Sequence, residues 1–146
     1  IERLYTYSDG SALYDKVATV DYRALAGLGL GYLLIQTEKS TLAVEAGGGY
    51  LWEKVNDASD DYPAFRVAEN CDLKTADASR IWQSAEYIPK AGDAHTYLLN
   101  AEIGVEAAIN SSMSLRIVLR DKYDSLPAKD LDKNDVSLVA GLTWKL

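Results

Sequence analysis

Between Tyr97 and Ile109 the sequence YLLNAEIGVEAAI alternates between two chemistries. Tyr97, Leu99, Ala101, Ile103, Val105, Ala107 and Ile109 form an apolar or aromatic set, while Asn100, Glu102 and Glu106 fall in the set between them. A period of two marks a strand whose faces meet different environments. Strands in globular proteins usually stop after about five or six residues. A strand this long, oily along one whole face and charged along the other, calls for a wall between two media.

The pattern continues through 113–123 and 135–146. On these three strands the apolar sets, Tyr97 to Ile109, Met113 to Tyr123 and Val136 to Leu146, contain a single charge, Asp121. The opposite sets hold Glu102, Glu106, Arg116, Arg120, Lys122 and Lys145. Further strands are expected at 2–8, 18–35, 41–54, 64–75 and 78–88, which makes eight, and no segment keeps a helical period. The connections alternate in kind. QTEKS (36–40), AD (76–77) and NSS (110–112) are short, whereas VNDASDDYP (55–63), PKAGDAH (89–95) and DSLPAKDLDKN (124–134) are long and mostly acidic. In an up-and-down meander, alternate connections lie at opposite ends. One end is therefore expected to be tight and the other to carry long loops, as in outer-membrane barrels.

Composition narrows the classes. The chain of 146 residues suffices for one domain, and its formal charge of -7 argues against nucleic acid as a partner. No run approaches the roughly 18 apolar residues of a membrane helix. Cys71 is alone, so neither an internal disulfide nor a thiolate metal site is expected. The chain begins at Ile1 without a signal peptide and reads as a mature chain or an excised piece. Ten tyrosines and three tryptophans accompany one phenylalanine. Tyr and Trp suit a boundary between oil and water. Tyr22, Tyr50, Trp52, Phe65, Tyr87, Tyr97 and Tyr123 fall toward the long-loop end, with Tyr32 and Trp144 toward the tight end. Two such bands resemble the aromatic girdles of an outer-membrane barrel.

Charge pairing suggests a register. If Ile109 pairs with Met113, then Glu106 faces Arg116, Glu102 faces Arg120 and Asn100 faces Lys122. If Leu34 pairs with Leu42, Arg23 faces Glu53 on one side of the sheet and Tyr32 faces Val44 on the other. Opposite charges directly across strands contribute about 0.2–1 kcal/mol each. An interior of such pairs suits a narrow barrel filled by its own side chains. Arg introduced at Ile103 is expected to block assembly, and at Gly104 to be far less harmful if the interior has room.

Other motifs carry less. GLGLGY (27–32) resembles a nucleotide loop only superficially, because no helix follows to face an anion. Its glycines fall on one face, opposite Glu45, Gly47 and Gly49, and read as a thin spot that allows coiling or admits bulky neighbours. His95, the only histidine, reads as a solvated loop residue rather than a general base, with no serine placed beside it. Asp57, Asp60, Asp61, Asp124, Asp130 and Asp132 do not follow a calcium-loop spacing and read as a solvated surface, the alternative being a weak contact with lipopolysaccharide bridged by Ca²⁺ or Mg²⁺. Glu69 and Gln83 fall on the apolar face, which points to a bulge or a covered hairpin.

The segment DYRALAGLGLGYLLIQTEKSTLAVEAGGGYLWE (21–53) resembles a family of salt-induced outer membrane proteins, domain of unknown function 481. The matching residues are Tyr22, Arg23, Gly29, Gly31, Tyr32, Thr41, Leu42, Glu45, Gly47 and Tyr50, and the last three strands look similar too. The resemblance implies an outer-membrane β-barrel without known catalytic residues, and N-terminal hairpins usual in that family are missing here. It brings lipid, lipopolysaccharide and the barrel-assembly machinery as partners. That machinery commonly reads a terminal aromatic, which here stands at Trp144, two residues inward.

The expectation is thus an all-β, antiparallel, up-and-down transmembrane barrel of about eight strands, a single domain over 1–146. It would be non-enzymatic, need no cofactor or metal, and serve envelope integrity or osmotic and salt adaptation, with a small pore as one option. A lipid-modifying barrel enzyme and a soluble lipocalin-like carrier are the alternatives.

Overall fold

The computed structural model describes residues 3–15, 20–55, 57–76, 79–127 and 132–144. Its eight strands are β1 (Leu4–Asp15), β2 (Val20–Gln36), β3 (Ser40–Val55), β4 (Ala58–Ala76), β5 (Ser79–Lys90), β6 (Asp93–Ala108), β7 (Met113–Asp124) and β8 (Asn134–Trp144). They form one antiparallel up-and-down sheet in chain order. Among the described residues there is no helix, and β1 and β8 are not paired with each other. The sheet is strongly curled: an ion pair joins Arg23 on β2 to Asp124 on β7. It is nonetheless open along those two edges. The expected strand starts at 2 and 18, the last residues 145–146 with Lys145, and also Asp77 and Asp130, lie outside the described residues.

Alternation decides which face turns inward. Leu28 (72 % exposed), Ile103 (48 %) and Leu138 (70 %) stand on the outer face. The side chains of Arg23 (17 %) and Glu45 (14 %) are far more enclosed on the inner one. A soluble sheet would bury the first set and solvate the second.

The β6–β7 register places Glu106, Glu102 and Asn100 opposite Arg116, Arg120 and Lys122. On β2–β3, Arg23 faces Glu53 and Tyr32 faces Val44. Leu34 departs from expectation: a bulge between Leu33 and Ile35 brings Ile35, not Leu34, opposite Leu42. No bulge lies beside Glu69 and Gln83, because β4 and β5 pair without interruption from Val67–Tyr87 to Lys74–Arg80. Both side chains therefore stay on the outer face, where Gln83 Nε2 donates to Glu69 Oε2 at 3.1 Å.

The connections require a correction. The segments 55–63 and 89–95 are not long loops, since β3 runs to Val55, β4 starts at Ala58, β5 reaches Lys90 and β6 starts at Asp93. Acidic residues and prolines suggested loops, yet they form the upper parts of tall hairpins. Pro63 is paired opposite Tyr50, and its carbonyl accepts from Ala91 N–H at 2.9 Å. It stands near the top of the β4–β5 pairing, so its missing donor costs little. Asp57 (φ 63°) and Gly92 (φ 86°) supply the left-handed turns. Beside Gly92, Asp93 accepts from the Thr96 hydroxyl and His95 N–H, which together hold its carboxyl below the usual range. The β7–β8 connection is the long one: Asp124 N–H reaches Lys133 O, and Ser125 N–H reaches Tyr97 O. β1 also runs further than expected, to Asp15.

The glycines of β2 and β3 make room for bulky neighbours. Gly27 faces Gly49, and Gly29 faces Gly47. Over them lie two tyrosines of β1: the Tyr5 ring fills the space above Gly31, and Tyr7 Oη stands 2.6 Å from where a Cβ on Gly29 would be. Gly48, on the outer face, has only Ala64 O nearby, at 3.8 Å. Gly29→Val should therefore overpack the inner face and cost about 1–3 kcal/mol, whereas Gly48→Ala should stay within about 0.5 kcal/mol. Urea unfolding midpoints of the two variants against the parent check this.

Candidate functional site: the ionic inner face

The charged residues of the inner face gather in three tiers. In the upper tier Arg23 Nε lies 2.7 Å from Glu53 Oε2 and its Nη2 lies 2.8 Å from Asp124 Oδ2. Tyr62 donates to the other Glu53 oxygen at 3.3 Å. Beneath it an apolar layer packs Leu51, Tyr62, Ala64 and Ile88 together, with Leu25 and Leu98 against them.

The middle tier centres on Arg66 of β4. Its Nη1 contacts Glu45 Oε2 of β3 at 2.7 Å, and its Nε contacts Glu86 Oε2 of β5 at 2.8 Å. Tyr5 donates to the remaining Glu45 oxygen at 2.9 Å, and Asn100 donates to the remaining Glu86 oxygen at 2.7 Å. The guanidinium also lies 5.1 Å from the Tyr7 ring centre. One chain of hydrogen bonds thus runs from β1 to β6. Charge-assisted bonds of this kind are roughly twice as strong as neutral ones.

The lower tier is built on Trp82. Its indole N–H donates to Glu102 Oε1 at 2.7 Å, and Arg120 Nε donates to Glu102 Oε2. The Arg116 guanidinium lies 4.5 Å and that of Arg80 5.1 Å from the indole ring. Arg80 also pairs with Asp72 at 2.6 Å.

Of the residue pairs anticipated from the sequence, the structure brings Arg23 to Glu53 and Arg120 to Glu102. Glu106 and Arg116 face each other in register without an ion pair among the described residues. Arg116 turns to the Trp82 ring instead, while Glu106 accepts from the Ser114 hydroxyl at 2.9 Å. Gly104 is no free position: an added Cβ would strike the Trp82 ring, so Arg there would be harmful. Arg66, Glu45, Glu86, Tyr5 and Trp82 were not anticipated. Arg66 faces Gly47 directly and reaches its acids diagonally, so a directly opposed partner gave no signal.

The aromatic residues expected to form bands lie on the outer face. Tyr50 and Trp52 pack with ring centres 4.9 Å apart. Tyr87, Tyr97 and Tyr123 form a row across β5, β6 and β7, at 5.2 and 5.6 Å. Tyr22, Tyr32 and Trp144 are exposed near strand ends. Phe65 lies mid-strand instead, because β4 begins earlier than expected. His95 is exposed on β6, and its imidazole has no hydrogen-bond partner among the described residues. Asp121, like Glu69, interrupts the apolar outer face, and its buried Oδ1 has no hydrogen-bond partner among the described residues.

An eight-stranded antiparallel meander with enclosed charge and exposed oil defines the class as barrel-like. The chain belongs to the family of proteins of unknown function DUF481, whose model matches residues 1–146. No curated protein and no solved structure is significantly similar to it.

Removing Arg66 would strand two partly enclosed carboxylates from different strands. Arg66→Ala should cost about 3–5 kcal/mol, since an enclosed charge left unpaired is expensive. Arg80→Ala removes a half-exposed pair and should cost no more than about 1 kcal/mol. Unfolding of both variants in the same detergent measures the difference.

Proposed function

We propose that this sheet is the wall of an outer-membrane β-barrel, non-enzymatic, that contributes to envelope integrity or to osmotic and salt adaptation. One observation carries the membrane part: large apolar side chains stand exposed along the outer face while the ion pairs are enclosed on the inner one. A carrier of hydrophobic ligands would need the reverse. The aromatic rows and the apolar belt suit lipid and lipopolysaccharide as surroundings. Glu45, Glu53, Glu86, Glu102 and Asp124 are engaged with arginines rather than set apart as proton donors. The physiological role follows from the resemblance to salt-induced outer membrane proteins, and the barrel-assembly machinery would be the partner during insertion. In a bilayer every backbone group must be satisfied, so this reading requires the edges of β1 and β8 to be paired there.

Ile103→Arg should cost about 2–4 kcal/mol where Ile103 meets the hydrocarbon core and should deplete the folded, membrane-extracted form. Ser84→Arg, pointing into the inner cavity, should fold nearly as well as the parent. The check is the folded fraction on unheated gels after detergent extraction. Equal tolerance at both positions, or recovery of the parent in the aqueous fraction without detergent, would defeat the proposal.

A further inference from the structure

Hydrogen-bond donors and acceptors do not balance around the inner cavity. The cavity has a volume of about 610 Å³, and its wall includes Asn70, Ser84, Asn100, Arg120 and Lys122. That volume lies in the range of small-molecule sites. It is open on the side of β8, an unpaired edge exposed along its whole length. The acids deep in the wall have both oxygens engaged. Glu86 accepts from Arg66 and Asn100, and Glu102 accepts from Trp82 and Arg120. Asp124 accepts from Arg23 and, through its second oxygen, from Leu126 N–H at 3.0 Å. The bases of β7 are engaged less. Arg120 bonds Glu102 through Nε, and its two terminal nitrogens have no partner among the described residues. Lys122 is exposed and makes no ion pair or hydrogen bond among the described residues, although Asp135 stands opposite it in register. Two residues apart on one strand, these bases project to the same side roughly 7 Å from each other. On β5, Ser84 stands between Asn70 and Glu102 in register. Neither its hydroxyl nor the Asn70 amide has a partner among the described residues, and Asn100 Oδ1 accepts from none of them. The unengaged acids of the wall, Asp132 and Asp135, stand at the β8 end, beside the long connection.

From this imbalance we infer that the cavity is a binding site for a small hydroxylated organic anion. Its carboxylate sits between Arg120 and Lys122, and its hydroxyls meet Ser84, Asn70 and the side-chain carbonyl of Asn100. Ammonium and guanidinium groups only donate, so they select a group that only accepts, and charge strengthens the bond. The hydroxyl and amides both donate and accept, as sugar hydroxyls do. A bound cation would find the deep carboxylates already saturated. Ser84 lies two strands from Arg120, about 10 Å. A six-carbon sugar acid fills that gap once the long basic side chains reach in. The site belongs to the inner face alone and does not rest on the membrane reading, whose own test is extraction.

The experiment uses the full chain, folded in detergent, and follows radiolabelled glucuronate by equilibrium dialysis, with glucose as the neutral analogue. Glucuronate should bind saturably, and glucose at least tenfold more weakly. Lys122→Gln should weaken glucuronate binding at least tenfold. Ser84→Ala should weaken both sugars by a similar factor, because it removes a hydroxyl contact and no charge. Lys74→Gln, at an exposed lysine outside the cavity wall, should change nothing. Lys122 makes no bond within the fold, so its variant should stay folded and its result should be decisive. The inference is overturned if glucuronate does not saturate, if glucose binds as well, or if Lys122→Gln binds like the parent. An equal loss in Lys74→Gln would reduce the effect to overall charge and overturn it too.

Discussion

Arg66 holds carboxylates from both neighbouring strands at once, and that double grip is the constraint on which the inner face depends. Its cost of desolvation is offset only while Glu45 and Glu86 stay on the same side of the sheet. A slip of one residue in β3 or β5 would turn either acid to the outer face and bring an apolar neighbour inward. Register, charge satisfaction and the orientation of the oily face are therefore one condition. The tiers around Arg23 and Trp82 repeat it at other heights, which spreads the penalty for misalignment along the strands.

Much of this architecture was legible because charge and pleat reinforce each other. Glu102 with Arg120 and Arg23 with Glu53 are directly opposed residues, and simple alternation finds them. Alternation failed where the controlling contact is diagonal or involves no opposite charge. Arg66 stands opposite a glycine, and Arg116 prefers an indole to the acid across from it. Trp82 was also easy to overlook, since tryptophan suits the outer bands and only its neighbour Gly104 marks the inner seat. Bulges at single residues, such as Leu34, leave no compositional trace. Segment 55–63 misled for another reason: Asp, Ser and Pro favour loops locally, but pairing with β3 overrides that preference.

The outer face is less uniform than the inner one is ordered. Glu69 and Gln83 satisfy each other on it, and Asp121 keeps an oxygen without a donor among the described residues. Both acids stand one pleat toward the short connections from the row of Tyr87, Tyr97 and Tyr123, Glu69 two residues beyond the partner of Tyr87. Carboxylates are tolerated on such a wall better than basic groups, and best near its interfaces.

The seating of Tyr5 and Tyr7 on the glycines ties distant parts of the chain together during divergence. A related sequence that shrinks either phenol opens a void, and one that enlarges Gly29, Gly31 or Gly47 evicts a ring. Neither step is neutral alone, so the lineage must exchange bulk between β1 and the β2–β3 hairpin in paired substitutions. Covariation among these columns would betray strand adjacency without any coordinates.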